Sequence, residues 1–281
     1  LTNYLSALKF PNTNDDLFKN FWPASLHIIG KDILRFHAIY WPAFLLAAKI
    51  DLPEKIYGHG WILSDEKKMS KSLGNILDPI EIINKFGIDE LRYYLVKEVS
   101  LGNDGNVSLS SLKNCINNDL ANNYGNLCQR VFSFVENNNS NKIPSADELK
   151  REDNTLLNEL KDNIPNLIKL MDNQKLNEYI KNIVNYSFAA NKYFNDNKPW
   201  TIKKTDKKRA DAIVFTVIEH IKNISILLLP IIPIASNKVL DILNVDQGKR
   251  NLASINNQNI LNHKKQILKT TILFKKINDN N

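Results

Sequence analysis

Two lysines and two serines stand at fixed spacing in one short segment of this 281-residue sequence. The segment reads Lys68, Met69, Ser70, Lys71, Ser72. Flexible ammonium groups and hydroxyls, together with main-chain N–H groups, can surround a pyrophosphate as negative charge develops on it. The alternative is a solvated lysine turn, and any basic protein has many of these. The fixed five-residue pattern in one loop favours nucleotide chemistry.

The elements predicted around this segment are a strand before it and a helix after it. Residues 56–63 form an alternating apolar stretch, which predicts a strand. Asp78 can cap a helix that has Pro79 at its first position, and Glu81 can complete a capping box. Gly87 can end that helix. The lysines are therefore expected on a strand-to-helix loop.

A second strand and helix precede this pair in the sequence. Residues 26–29 form a short apolar run typical of a buried strand, and Asp32 can cap the helix that follows. Strand, turn and helix thus occur twice in succession. This order predicts half of a doubly wound nucleotide fold.

The composition changes between residues 100 and 111, where Gly, Asn and Asp replace periodic apolar residues. We expect a domain boundary there. Stretches with helical spacing of apolar residues follow at 112–134, 157–171, 176–188 and 213–228. They predict an antiparallel helical bundle. The expected fold class is therefore α/β plus all-α.

Two sets of residues repeat at the spacing of one helical face. Ile33, His37 and Trp41 lie four residues apart and would form a stripe along one helix. On spacing alone such a row is usually core packing. Asn126 and Arg130 are also four apart, and on spacing alone this pair indicates solvated polar side chains.

The lysine segment resembles the signature loop of the class I aminoacyl-tRNA synthetases. The surrounding sequence is similar to the methionyl-tRNA synthetases at residues 30–37, 40–42, 58–61, 91–95, 102–106 and 119–127. The lysine segment alone is equally compatible with an isoleucyl, valyl, leucyl or cysteinyl enzyme. The His37 segment upstream and the Asn126 and Trp200 segments downstream favour the methionyl type.

The resemblance implies ATP-dependent activation of L-methionine through methionyl-adenylate and transfer of the amino acid to tRNA(Met), with Mg²⁺ accompanying ATP. It implies the second half of a Rossmann-like class I catalytic domain followed by a helical-bundle anticodon-binding domain.

The resemblance also assigns residues to these steps. The catalytic set comprises Lys68, Ser70, Lys71 and Ser72. The ATP-binding set comprises Asp32, Gly58, His59, Gly60 and again Lys71. The methionine pocket comprises Tyr4, Ile33, His37 and Trp41. The anticodon-reading set comprises Asn126, Arg130 and Trp200. Asp32 as a helix cap and His37 as a core histidine remain open alternatives.

Class I synthetases carry a His-x-Gly-His element early in their nucleotide fold, and this sequence contains none. The chain also opens at Leu1 without an initiating Met. We therefore expect the C-terminal part of a longer enzyme, inactive alone. The expected parts are 1–63, the C-terminal half of the catalytic domain; 64–111, the signature loop and stem-contact region; and 112–281, the anticodon-binding domain. A non-catalytic tRNA-binding module is the other alternative.

Composition limits the partners and the location. The excess of 37 Lys and Arg over 30 Asp and Glu suits a polyanion such as RNA. The basic run at 203–209 is either a solvated helix start or a phosphate-contacting patch. Two cysteines without a Cys-x-x-Cys pair predict no metal site and no structural zinc. The apolar run at 224–235 contains two prolines and is too short for a bilayer, so we expect a cytoplasmic protein without a membrane partner.

Overall fold

The computed structural model describes residues 1–64, 66–69, 77–145, 149–255, 260, 261, 263 and 265–278. The chain divides into two compact units. The first comprises Leu1–Asn75 and Val99–Asn106, and the second comprises Ile76–Glu98 and Val107–Asn281. Ser70, Lys71 and Ser72 lie outside the described residues.

A pair of parallel strands forms the centre of the first unit. The elements in chain order are α1 (Asn3–Ser6), α2 (Asp16–Phe21), β1 (His27–Gly30), a 3₁₀ turn (Lys31–Ile33), a π turn (Phe36–Tyr40), α3 (Trp41–Ala47) and β2 (Ile56–His59). His27 faces Ile56 and Gly30 faces His59 across the pair. The parallel pairing and the helical crossover confirm the predicted α/β character of this part of the chain.

The helical crossover is less regular than the sequence predicts. A single helix was expected to carry Ile33, His37 and Trp41, but 3₁₀, π and α turns follow one another. Pro42 has no N–H to donate to the carbonyl four residues earlier, so a regular α-helix cannot continue through this position. A π turn ahead of a proline accommodates the lost hydrogen bond, and such turns are frequent at functional sites. Asp32 does not cap this segment, because Gly30 precedes the first turn and no side chain bonds there.

The predicted strand at 56–63 is two strands in different sheets. β2 ends at His59, and β3 (Ile62–Ser64) pairs antiparallel with β4 (Lys67–Lys68). Strand β5 (Gly105–Val107) lies on the other edge of β3. The break falls at Gly60, where a Cβ would lie 2.2 Å from the main-chain oxygen of Asn103. Lys68 is therefore on a short strand rather than on the expected strand-to-helix loop.

The first helix of the second unit begins and ends where the sequence predicts. Helix α4 (Pro79–Phe86) is capped by Asp78, and Gly87, at φ 113°, follows its last residue. The Asp78 carboxylate accepts from the N–H of Ile80 at 2.7 Å, one position earlier than the bond that a capping box with Glu81 requires. Helix α5 (Ile88–Glu98) follows.

From Leu109 to Ser254, the helices and turns that the structure describes in this unit are consistent with the predicted helical domain. Its elements are α6 (Leu109–Cys115), a π-helical stretch (Ile116–Gly125), α7 (Asn126–Asn138), α8 (Arg151–Asp162), α9 (Ile164–Asp172), α10 (Leu176–Asn197), α11 (Pro199–Ile202), α12 (Lys207–Leu228), α13 (Pro233–Ile242) and 3₁₀ turns at Gln247–Lys249 and Leu252–Ser254. The predicted stretch at 157–171 is divided between α8 and α9, with Pro165 in the first turn of α9. Among the residues that the structure describes, no helix is both long enough and apolar enough to cross a membrane.

Helix α12 differs from its prediction in burial. The spacing of its apolar residues predicts one exposed face, but nearly every residue from Arg209 to Leu228 is buried. Several of its polar side chains therefore form hydrogen bonds inside the protein. Lys222 Nζ donates to Glu219 Oε1 at 2.7 Å, and both side chains have no exposed surface. A helix surrounded by neighbouring helices shows little of the polar and apolar segregation of a surface helix.

Candidate functional site

His37 is bonded on both sides within the first unit. Its Nδ1 lies 3.1 Å from the carbonyl oxygen of Ile33, and its Nε2 lies 3.0 Å from the hydroxyl of Tyr4. A carbonyl oxygen can only accept, so Nδ1 carries the hydrogen and the Nε2 of neutral His37 accepts from the Tyr4 hydroxyl. The Ile33 oxygen, at the end of the 3₁₀ turn, thus fixes the ring, and the ring fixes Tyr4.

Aromatic side chains surround this pair. The Trp41 ring lies 6.1 Å from the Tyr4 ring, centre to centre, and Trp41 is 1% exposed. Tyr4 is 37% exposed and, with His37, Leu1 and Asn3, lines a cavity of about 330 Å³. Three of the four residues predicted for the methionine pocket therefore lie together. The fourth, Ile33, takes part through its main-chain oxygen.

Two members of this aromatic cluster were not identified from the sequence. His27, at the start of β1, has its ring centre 4.6 Å from that of Tyr4, and Trp22 lies within 6.3 Å of both His27 and Trp41. Burial and the nearby His37 lower the pKa of His27, which favours the neutral ring. Side chains alternate between the two faces of a strand, so the sequence could have placed His27 on the same face as Ile29 and opposite Ile28. In the structure His27 and Ile29 are buried and Ile28 is exposed.

The predicted ATP-binding residues that the structure describes lie at or next to the carboxyl ends of the two parallel strands. The remaining one, Lys71, lies outside the described residues. Gly30 ends β1 opposite His59, which ends β2. The Asp32 carboxylate and the His59 ring both approach Gly30, at 2.5 and 3.9 Å from the position that a Cβ would take there. His59 Nδ1 donates to the main-chain oxygen of Gly60 at 2.9 Å. In open parallel sheets this edge is where ligands bind.

Gly58 lies inside β2, and its neighbour is the side chain of Leu34, 3.6 Å from a built Cβ. That distance is ordinary van der Waals contact. The close main-chain approach occurs at Gly60, where the approaching group is the main chain of Asn103.

Lys68 is the described member of the predicted catalytic set. Its ammonium lies 4.3 Å from the ring centre of Trp61, within the range of a cation–π contact. The main-chain N–H of Trp61 donates to Asp104 Oδ1 at 2.8 Å, and Lys31 Nζ lies 2.5 Å from the same oxygen. The bonds from Lys31 and from the Trp61 N–H lower the pKa of Asp104. Neither Trp61 nor Asp104 was singled out from the sequence.

The predicted anticodon residues lie in the second unit. The guanidinium of Arg130 lies 5.4 Å from the ring centre of Phe194, and its Nη2 donates to Asn195 Oδ1 at 2.6 Å. The Trp200 ring meets the same Phe194 edge-on at 5.6 Å. Arg130 and Trp200 therefore share the buried Phe194, which the sequence did not indicate. Asn126, one helical turn before Arg130 on α7, is partly exposed.

Trp200 is 41% exposed and lies on α11, a single helical turn. Its edge-on packing leaves ring surface available to a stacking partner.

The basic run separates into residues with different environments. Arg209 is buried and bonds both carboxylate oxygens of Asp153, at 2.5 and 2.9 Å. Lys203 donates to Asn138 Oδ1 at 2.9 Å, near the end of α7. Lys204 and Lys208 are exposed. A phosphate-contacting patch across the whole run is therefore excluded, because Arg209 is committed to the protein interior.

Within the parts of the chain that the structure describes, no cluster of three or more His, Cys, Asp or Glu side chains is arranged to hold a metal ion.

Two family models together match almost the whole chain. The model described as tRNA synthetases class I (M) matches residues 1–132, and the model described as the anticodon binding domain of methionyl tRNA ligase matches residues 143–281.

Relatives and solved structures agree with these models. The methionine--tRNA ligase of Rickettsia conorii is 42% identical over 98% of this chain, which spans 55% of that protein. That of Mycobacterium leprae is 39% identical over 91% of this chain, which spans 48% of it. The structure of Mycobacterium tuberculosis methionyl-tRNA synthetase in complex with methionyl-adenylate is 37% identical, with a TM-score of 0.93 over 97% of this chain and 54% of that one. The chain thus spans about half the length of the relatives it matches, and it belongs to the methionyl-tRNA synthetase family of class I aminoacyl-tRNA synthetases.

Proposed function

We propose that this chain contributes to a methionine--tRNA ligase, which activates methionine with ATP and transfers it to tRNA(Met). The observation that carries the proposal is the cluster of Tyr4, His37 and Trp41 beside a cavity, in the unit that also holds Lys68. The similarity to a synthetase solved with methionyl-adenylate supports the same reaction.

The aromatic cluster suits the thioether of methionine. Sulfur makes favourable contacts with aromatic rings, and the cavity of about 330 Å³ has Tyr4 and His37 in its wall. No hydrogen-bonding group distinguishes methionine from leucine, so selectivity arises from shape and from sulfur contact. His37 holds the Tyr4 ring in place through the hydrogen bond between them.

The activation step is attack by the methionine carboxylate on the α-phosphorus of MgATP. A mixed anhydride forms, in which a carboxyl oxygen of methionine is bonded to the α-phosphorus, and the bond between the α-phosphorus and the bridging oxygen of pyrophosphate breaks. Lys68 and Lys71, with the hydroxyls of Ser70 and Ser72, neutralise the departing pyrophosphate. Asp32 and the segment from Gly58 to Gly60, at the carboxyl edge of the strands, bind the nucleoside side of ATP. A ribose hydroxyl at the end of tRNA then attacks the carbonyl carbon of the adenylate, so that an ester forms and AMP leaves.

Residues 1–63 are assigned to the C-terminal half of the catalytic domain, 64–111 to the signature loop and stem-contact region, and 112–281 to anticodon binding. Single-stranded bases are read by hydrogen bonds and by stacking on aromatic side chains. Asn126 and Arg130 supply donors, and the exposed ring of Trp200 supplies the stacking surface.

The test compares the two half-reactions in a complete synthetase that carries this sequence. Trp200→Ala is expected to lower aminoacylation of tRNA(Met) by about 10- to 100-fold, since stacking of one base contributes about 1–3 kcal/mol. Methionine-dependent pyrophosphate exchange should persist. Phe188→Ala, which removes an exposed aromatic ring from α10, is the matched control.

Equal losses of both activities in Trp200→Ala would assign this residue to folding. Charging of isoleucine, valine, leucine or cysteine in place of methionine would overturn the proposed substrate.

A further inference from the structure

Lys68 lies over the indole of Trp61 in the first unit. The ammonium lies 4.3 Å from the ring centre. The other contacts between a cation and a ring among the described residues have distances of 5.4 to 6.0 Å, as for Arg130 with Phe194 and Lys55 with Tyr57. Tryptophan provides the strongest cation–π partner of the aromatic side chains. The contact brings a signature lysine to the turn that follows β2.

The main chain of Trp61 is fixed on both sides by residues 103–106, which we call the clamp segment. The N–H of Trp61 donates to Asp104 Oδ1, and its carbonyl oxygen accepts from the N–H of Gly105, both at 2.8 Å. The preceding Gly60 packs directly against the main chain of Asn103. These contacts fix the main chain from which the indole projects.

The clamp segment also holds the hairpin that carries Lys68. Asn106 Oδ1 accepts from the main-chain N–H of Glu66 at 3.0 Å, in the turn between β3 and β4. Asp104 in turn bonds Lys31, the first residue after β1. One segment therefore joins the ends of both parallel strands to the strand that bears the lysine.

An indole face differs from a carboxylate as a partner for an ammonium group. It attracts the cation without a formal negative charge, so a polyphosphate with several negative charges competes for it effectively. The cation–π contact thus holds the ammonium close to its site of action and can be replaced by contacts with phosphate.

We propose that Trp61 is a positioning residue for Lys68, and that Asp104 fixes the main chain that carries the indole. The ring holds the ammonium at the carboxyl edge of β1 and β2 until the phosphates of ATP or pyrophosphate replace it. This inference rests on the proposed function of Lys68 and extends it to two residues outside the signature segment.

The first experiment measures the contact in the chain itself. The protein contains four tryptophans, so labelling with 5-fluorotryptophan gives four ¹⁹F resonances, and Trp61→Phe identifies that of Trp61. Lys68→Gln is expected to shift the Trp61 resonance, while Lys67→Gln, at the neighbouring exposed lysine, should leave it in place. An unmoved Trp61 resonance in Lys68→Gln would overturn the inference.

The second experiment is a double-mutant cycle in a complete synthetase that carries this sequence. Trp61→Leu is expected to lower kcat/KM for MgATP in pyrophosphate exchange by about 2- to 5-fold, the range for an exposed cation–π contact. Trp61→Phe retains a ring and should lose less. The methionine KM should be unchanged, and Trp61→Leu should cause no further loss in the Lys68→Gln background.

The outcomes of this cycle separate the two claims. An equal loss from Trp61→Leu in both backgrounds would contradict the positioning role and leave the role of Lys68 intact. Undiminished exchange in the Lys68→Gln enzyme would contradict the proposed role of Lys68, and the inference with it.

Discussion

Basic side chains that look alike in the sequence have different surroundings in this protein. Lys68 lies on an indole face, Lys222 is buried beside Glu219, and Arg209 bonds Asp153 inside the helical unit. The partner of Arg209 is 56 residues away in the chain. Local spacing contains no information about such a partner, so the sequence indicated only that the run at 203–209 is basic. Removing one partner of a buried ion pair costs far more than removing an exposed charge.

The hydroxyl of Tyr4 gives the first prediction. Tyr4→Phe removes its hydrogen bond to His37 and frees the ring at position 4 to move within the proposed methionine pocket. A hydrogen bond of this kind contributes about 1 kcal/mol, so the methionine KM should rise by about 5-fold. The measurement is pyrophosphate exchange by a complete synthetase at varied methionine concentration, with the ATP KM unchanged.

Tyr40→Phe is the control, because Tyr40 is an exposed tyrosine on the same crossover. Similar effects of the two substitutions, or an unchanged methionine KM in Tyr4→Phe, would remove Tyr4 from the pocket.

At the scale of elements, the turn between β2 and β3 depends on Gly60. A Cβ there would lie 2.2 Å from the Asn103 oxygen and 2.5 Å from the Asp104 nitrogen, both of them main-chain atoms. Gly60→Ala must therefore displace the clamp segment, and we expect it to lower the free energy of unfolding of the first unit by about 1–3 kcal/mol. Denaturation monitored by tryptophan fluorescence measures this change, since three of the four tryptophans lie in the first unit.

Gly248→Ala serves as the comparison, since nothing lies within 4 Å of a Cβ at that glycine. It should leave stability unchanged or raise it by about 0.4–1 kcal/mol. Equal stability of the two variants would show that Gly60 is not required for close packing.

Local sequence signals predicted where helix α4 begins and ends, but they did not predict the interruption of the strand at 56–63. Asp78, Pro79 and Gly87 correctly bounded α4, because a cap, a fixed φ and a left-handed residue act within one turn. The strand at 56–63 was predicted as continuous, since its interruption arises from contact with Asn103, which is distant in sequence. The same limit applies to the site. The spacing of His37 and Trp41 was visible in the sequence, whereas the contacts of Tyr4 with His27 depend on the packing of α1 against β1.

At the scale of the whole molecule, a histidine in the buried helix α12 makes the free energy of unfolding depend on pH. Burial lowers the pKa of His220 to about 4, against the opposing effect of its bond to the Tyr186 oxygen. The unfolded chain binds a proton at this residue below about pH 6.5, whereas the folded chain does so only below about pH 4. Stability from this residue is therefore complete above about pH 6.5 and is lost as pH falls toward 4.

We expect His220→Gln to remove this contribution. The difference in unfolding free energy between the original chain and the variant should change by about 2–3 kcal/mol between pH 7 and pH 4.5. Urea denaturation followed by circular dichroism at both pH values tests this expectation. A pH-independent difference for His220→Gln would contradict the argument.

The most direct test of the whole account concerns the lysine that the sequence identified first. In a complete synthetase that carries this sequence, Lys71→Ala should lower methionine-dependent pyrophosphate exchange by at least about 100-fold, as expected when a group that stabilises developing charge is lost. Binding of tRNA(Met) should be retained. Lys67→Ala, four residues away and outside the signature segment, should remain within about two-fold of the original rate. An exchange rate unchanged by Lys71→Ala would contradict the claim that this segment neutralises the departing pyrophosphate.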